Sequence, residues 1–396
     1  MRQEAAVFFH FVTPEYYPDR GGLQQSLQRI ATSLVDAFPN SLFAIYALET
    51  KAEDYGNVYF VKNFMKKLSR PLSSSSFSDS VKSYKQLRFL SLESQIKEML
   101  NSYPNHEHLI ISFYASHTGF YSQMVASRFN IKHISSIRGS DFFVNFLNHT
   151  SFASLEFVVG HANHIITTNN MQRDMLLSLY PKTITGRITT IHNALKGSVP
   201  PYINKHAIEK GRHIQLFTDS GFSYKKGTDH IIDAFMRLFK DGEKVELSIA
   251  GDIKEEEKDY WDTRIQSVKE SCGESFRQLG YQDSVLPFMQ QADIFISASL
   301  SEGCSNSRIL ALCMGIPIIT TDNGAIIDYP FPKTNVVYVP VGNPVMIARC
   351  IRGIIRNLSS GQGEISSMER EERLRYFSPE REKKEWVLII NKVLKR

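Results

Sequence analysis

Residues 293–320 read DIFISASLSEGCSNSRILALCMGIPIIT. The short apolar run at 293–297 predicts a buried strand, 306–314 a helix, and 317–320 a second strand. Between the first strand and the helix lie Ser299, Leu300, Ser301, Glu302, Gly303, Cys304 and Ser305. Small residues with free backbone N–H groups at a helix start form an anion cradle. Glu302 beside that cradle suits a grip on sugar hydroxyls, although the helix macrodipole also favours a glutamate there. Strand, loop, helix and strand in this order are the unit of a parallel α/β sheet.

The same grammar runs outward in both directions. Residues 214–218 and 245–250 predict strands, the second closed by Gly251 and Asp252, and 228–239 and 260–270 predict helices. The first half opens with the apolar run 5–12, then Gly21-Gly22, then Leu23, Leu27, Ile30, Leu34 and Phe38 at helical spacing. Further strands are expected at 41–46, 109–113, 133–137, 165–168 and 188–191, with helices at 121–129 and 171–179. Residues 197–213 contain Pro200-Pro201 and show no period, which predicts a junction there. The expected domains are 1–196, the junction 197–213, a second α/β domain at 214–378, and a final helix at 379–396. In that helix Trp386, Ile389, Ile390 and Val393 share one face, which is expected to return to the first domain.

Composition narrows the function classes. The 396 residues are 42% hydrophobic and 22% charged, an ordinary globular balance for two cores. No apolar run reaches the length of a membrane helix, and the N-terminal run lacks a small-residue cleavage site. Cys272, Cys304, Cys313 and Cys350 show no zinc spacing, which points to a reducing, cytoplasmic setting and no structural metal. The net charge of +5 sits in the first half: residues 1–200 hold 19 Lys/Arg and 14 Asp/Glu, leaving 27 and 27 for the rest. No nucleic-acid motif accompanies it. Residues 61–90 carry seven basic residues (Lys62, Lys66, Lys67, Arg70, Lys82, Lys85, Arg88) against Asp79. A basic segment with Val61, Phe64, Met65 and Leu68 on one face suits an anionic membrane surface or an anionic acceptor; a solvated helix packed on the sheet is the alternative.

Two further motifs bear on ligands. Gly21-Gly22 follows a strand and opens a helix, where a backbone can approach a phosphate, although a plain tight turn has the same sequence. Lys225-Lys226-Gly227 stands between a strand and a helix, at the sheet edge where doubly wound folds bind ligands; a solvated loop lysine is the alternative.

Taken in order, residues 18–22, 138–141, 192–193, 226–227, 250–252, 292–293, 299–306 and 311–317 resemble a family 4 glycosyltransferase of the group 1 type. The resemblance spans nearly the whole chain. It implies a GT-B fold, two Rossmann-like domains facing across a cleft, and a retaining enzyme that takes a hexose from a nucleotide diphosphate sugar. It implies Glu302 at the donor sugar, and the amides of Cys304, Ser305 and Asn306 near the diphosphate or sugar. Lys226 would neutralise the diphosphate, Gly280 and Tyr281 would lie near the base, and Gly22 would close over the donor. Arg138 occupies the turn that often carries a catalytic histidine, with His117 as another candidate; a structural histidine is the alternative for His117. No metal or other cofactor is implied, because fixed cations and helix dipoles stabilise the leaving group. The expected acceptor is a glycan or lipid-linked molecule in bacterial surface polysaccharide or lipopolysaccharide synthesis, with the protein cytoplasmic or peripheral on the inner membrane face.

Two positions depart from the family pattern. The arginine expected five residues before Lys226 is Gly221, and the glutamate expected eight after Glu302 is Leu310. Charge-assisted hydrogen bonds contribute about 1.5–3 kcal/mol each, so two lost without replacement would cost about 3–6 kcal/mol, or about 10²–10⁴ in affinity. Lys225, Arg308 and Arg138 are candidate substitutes. The rival reading is a non-catalytic GT-B partner subunit with a decayed donor site.

Overall fold

The computed structural model describes residues 6–14, 21–48, 58–59, 84–139, 142, 148–195, 197–203, 211–360 and 364–395. Contacts divide the chain into a first unit, 1–193 with 379–396, and a second unit, 194–378.

In the first unit the elements are β1 (Val7–Thr13), α1 (Gly22–Ala37), β2 (Leu42–Ala47), β3 (Val58–Tyr59), α2 (Tyr84–Ser102), β4 (Glu107–Phe113), α3 (His117–Phe129), β5 (Lys132–Ser136), α4 (His149–His161), β6 (His164–Thr167), α5 (Asn170–Leu179), α6 (Pro181–Ile184) and β7 (Ile188–Thr190). The strands order as β3-β2-β1-β4-β5-β6-β7, parallel except for the two-residue β3. Every residue of β1 is buried, so alternate side chains feed opposite cores. Phe9 and Phe11 join Leu27, Ile30 and Leu34 of α1 on one face, and Phe8 and Val12 join Leu92, Ile96 and Ile110 on the other.

The second unit contains β8 (Ile214–Thr218), α7 (Thr228–Lys240), β9 (Val245–Ala250), α8 (Lys258–Cys272), β10 (Phe276–Gly280), α9 (Leu286–Gln291), β11 (Ile294–Ser297), α10 (Asn306–Met314), β12 (Ile318–Thr321), β13 (Val336–Val339), α11 (Pro344–Ser360) and α12 (Ser367–Tyr376). Its parallel sheet runs β10-β9-β8-β11-β12-β13, so the order reverses between β8 and β11. The chain then re-enters the first unit as α13 (Pro379–Leu394), which packs on α1. Trp386, Ile389, Ile390 and Val393 join the core of β1 and α1, and buried Glu382 accepts two hydrogen bonds from Arg29, at 2.6 and 2.9 Å. Among the described residues no helix is long and apolar enough to cross a membrane.

Several expectations need correction. The second unit begins at Ala194 and not after 213: Leu195 N–H donates to Phe377 O, Tyr202 N–H to Met314 O, and Leu195 and Val199 lie in the second unit's core. Helix α3 starts at His117, one turn before the expected 121. Its first turn carries Gly119, which weakens the helical signal yet is required, because a Cβ there would lie 2.8 Å from Tyr114 O. Helix α2 was not anticipated, although Leu92, Ile96 and Met99 bury one stripe of it.

Candidate functional site

The reversal between β8 and β11 leaves a crevice at the strands' C-terminal ends, where doubly wound sheets bind ligands. Three loops meet there. After β8, residues 224–226 make one tight turn and Gly227 adopts φ 68°. A Cβ on Gly227 would stand 2.1 Å from Ala298 O, so glycine alone lets this turn touch the end of β11. Leu300 N–H donates to Lys225 O at 2.9 Å, which locks the first two loops together. The third loop follows β12: Thr321 Oγ1 and Asn323 Nδ2 each donate to Ser299 O at 2.7 Å, and Ala325 N–H donates to Gly303 O at 2.8 Å. Gly324, at φ 72°, fits against Glu302, whose Cβ would lie 2.9 Å from a side chain there. Glu302 is thus braced from two sides.

Lys226 Nζ donates to Glu302 Oε1 at 2.5 Å, and Ser299 Oγ donates to the same oxygen at 2.8 Å. Burial raises the Glu302 pKa, but Lys226 and Arg308, with these hydrogen bonds, outweigh it and hold the carboxyl at about 2. For Lys226 burial opposes the charge, while Glu302 and Asp219 override it and lift the ammonium's pKa. The Lys226 side chain is 40% exposed and that of Glu302 12%, so the lysine is the partner open to a ligand.

The remaining expected donor residues occupy distinct places. Gly280 ends β10 with its carbonyl accepting from Gly251 N–H at 2.7 Å, and Tyr281 N–H donates to Asp252 Oδ1 at 3.0 Å. Both lie at the same sheet edge, two strands from β8. Ser305 caps α10, its hydroxyl accepting from Arg308 N–H, and Asn306 opens the helix. The Cys304 side chain is buried in the core near the Tyr329 hydroxyl, so only its backbone can serve a ligand.

Both departures have structural causes. Gly221 has φ 58°, and its Cα would lie 2.6 Å from any Cβ on Gly251. The loops after β8 and β9 touch glycine on glycine, and at residue 221 an arginine would carry the strain of a positive φ and bring its Cβ to 3.0 Å from Asp252 O. Leu310 packs against the apolar core of the unit's other face. Arg308 cannot substitute on a diphosphate. It is 2% exposed, and its guanidinium donates to Ser297 Oγ, Thr321 Oγ1 and both the carbonyl and side-chain oxygens of Asn323. It ties the ends of β11 and β12 together and holds the loops that carry Glu302.

Sequence reasoning missed Asp219, immediately after β8. Its carboxylate accepts a hydrogen bond from Ser307 Oγ in the first turn of α10. Burial raises its pKa, opposed by that hydrogen bond and by Lys226. No motif marks it, because Ser307 is 88 residues away.

In the first unit Gly22 opens α1 after β1, His117 opens α3 after β4, and Arg138 follows β5. All three stand at the C-terminal edge of three adjacent strands. Arg138 donates to buried Asn193 Oδ1 at 2.6 Å and stacks over Phe113, 5.4 Å from the ring centroid. Tyr114, beside them, adopts φ 81°, a costly conformation for a tyrosine. Residues 60–83, most of the basic segment, lie outside the described residues.

Residues 214–357, within the second unit, match the family model described as glycosyl transferases group 1. No curated protein matches the chain. Among solved structures it is similar over its length to sucrose-phosphate synthase from Thermosynechococcus elongatus, with TM-score 0.75 and 13% identity over 98% of this chain and 99% of that one. It is also similar to HepE from Anabaena in complex with UDP-glucose, with TM-score 0.70 and 13% identity over 98% and 100%. A third is the lipopolysaccharide outer core galactosyltransferase WaaB, with TM-score 0.65 and 14% identity over 97% and 99%. At such identities the likeness fixes the fold, which is GT-B with two Rossmann-like units, as expected from the sequence.

Proposed function

We propose that the protein is a retaining, metal-independent glycosyltransferase that moves a hexose from a nucleotide diphosphate sugar to a glycan or lipid-linked acceptor in surface polysaccharide synthesis. The observation that carries this reading is the Lys226–Glu302 pair at the β8/β11 crevice of a group 1 domain. Lys226 is exposed enough to exchange Glu302 for a diphosphate and to stabilise charge on the leaving group. Glu302, released and ionised, accepts hydrogen bonds from donor-sugar hydroxyls. Backbone amides of Cys304, Ser305 and Asn306 face the same anion at the start of α10, Lys225 adds charge, and Gly280 and Tyr281 flank the base. Gly22, His117 and Arg138 keep the roles the resemblance implies. The basic first half, with residues 61–90, directs the enzyme to an anionic acceptor or membrane surface on the cytoplasmic side. That HepE is solved with UDP-glucose and that WaaB acts on lipopolysaccharide supports this substrate class.

Gly221 and Leu310 favour one rival, a partner subunit without its own catalysis. Incubation with a panel of nucleotide sugars and detection of released nucleoside diphosphate separates the two. An enzyme releases the diphosphate, and Lys226→Ala lowers kcat/KM more than about tenfold. Absence of binding to every sugar nucleotide, with Lys226→Ala silent in cells, would establish the partner reading.

A further inference from the structure

The charges around the β8/β11 crevice nearly cancel. Lys226 faces Glu302 and Asp219, and the other cation in contact with this group, Arg308, is committed to Ser297, Thr321 and Asn323. The usual arginine is replaced by Gly221, whose φ of 58° and 3.0 Å approach to Asp252 O disfavour a side chain. A bound diphosphate diester would therefore add two negative charges, by its ordinary chemistry, beside two carboxylates, with only Lys226 and the neighbouring Lys225 to offset them. We propose that a nucleotide diphosphate sugar binds this site with uptake of one proton from solvent onto the Asp219 carboxylate. The inference rests on the donor reading above.

Geometry selects Asp219 over Glu302 for the proton. Glu302 takes two hydrogen bonds on one oxygen and lies beside both Lys226 and Arg308, which hold it ionised. Asp219 takes its side-chain hydrogen bond from Ser307 Oγ, and burial already disfavours its charge. The groups facing it are Lys226 from the loop after β8, Glu302 from the loop after β11, and Ser307 and Arg308 from α10. When a phosphate draws Lys226 away, Asp219 loses its nearest compensation and gains a like charge. A neutral carboxyl removes that repulsion and can donate its proton to a phosphate oxygen. Site affinity then falls toward tenfold per pH unit between the free and the ligand-bound pKa of Asp219 and levels off above the latter.

The test is calorimetry of wild type with UDP-, GDP-, dTDP- and ADP-sugars between pH 6.5 and 8.5, in buffers of different ionisation enthalpy. These diesters do not titrate in that range, so proton uptake reports the protein. The expected result is uptake approaching one proton per donor and affinity falling as pH rises. Asp219→Asn should abolish the uptake and bind more than about tenfold tighter at pH 8.5. Ser307→Ala, which removes a hydrogen bond to the ionised form, should move the pH dependence upward and serves if Asp219→Asn fails to fold. Binding of a sugar nucleotide without proton uptake overturns this inference and leaves the donor reading standing. Binding of none, by any variant, overturns both.

Discussion

Acidification should unfold the first unit before the second, because the first hides neutral histidines in its sheet. His10 on β1, His108 on β4, His133 on β5 and His164 on β6 sit on four adjacent strands. His108 Nε2–H donates to Tyr103 O at 3.0 Å, so its Nδ1 must accept from His10 Nε2–H at 2.9 Å, and His10 Nδ1 must accept from the Tyr46 hydroxyl at 2.9 Å. His133 Nδ1–H donates to Gln123 Oε1 at 2.8 Å while its Nε2 accepts from Ser112 Oγ at 2.9 Å. Burial accordingly lowers the pKa of all four, to about 3 for His133 and about 4 for His164. In the unfolded chain each titrates near 6.5. The unfolded state therefore takes up protons below pH 6.5 while the folded state does not. Their stabilisation is complete above that pH and declines as pH falls toward 4 and 3. At pH 5, His133 and His164 alone should cost about 2 kcal/mol each, about 4 together, a large part of the roughly 5–15 kcal/mol of a typical domain. His10 and His108 act in the same direction. The two tryptophans report the units separately, since Trp386 lies in the first core and Trp261 in the second. In Trp261→Phe protein, the urea midpoint followed by Trp386 emission should fall steeply between pH 7.5 and 5. His133→Asn should be less stable at pH 7.5 yet lose about 2 kcal/mol less over that interval. A midpoint constant with pH, or an unchanged slope in His133→Asn, would refute the reasoning.

Other outcomes follow from the second unit. Gly227→Ala should cost about 1–3 kcal/mol in backbone strain alone and more from the contact with Ala298 O, lowering the urea midpoint seen by Trp261 in Trp386→Phe protein. Leu310→Glu should not restore a ribose contact; it should destabilise the unit by about 1–3 kcal/mol through a poorly solvated carboxylate against apolar neighbours, read by the same emission.

Most of the sheet was legible because parallel strands buried on both faces leave short apolar runs, as in β1, β8, β9, β11 and β12. The Lys226-Gly227 and Glu302-Gly303 motifs were legible for a related reason. Each glycine marks a place where a loop touches another backbone, and such contacts leave a compositional trace. Helix α2 was obscured because its buried stripe of Leu92, Ile96 and Met99 follows a basic, serine-rich tract that drew a different reading. Asp219 left no trace at all, and Arg308 stood out only as a candidate cation for the diphosphate, a role its burial excludes. A buried cation in the first turn of a helix opposes the macrodipole, and it is tolerated here only because Ser297, Thr321 and Asn323 converge on it from two strand ends. Gly221 is the intermediate case. The missing arginine was visible as an absence, whereas its cause is the positive φ at 221 and the facing Asp252 carbonyl, thirty-one residues on, with a parallel bridge from Phe222 to Ile253 continuing the contact. Replacing Gly221 by arginine would therefore carry backbone strain and press its Cβ against Asp252 O. With no arginine at 221, compensation for a bound diphosphate must come from Lys226, from Lys225 and from Asp219, the carboxylate that can shed a charge by taking up a proton.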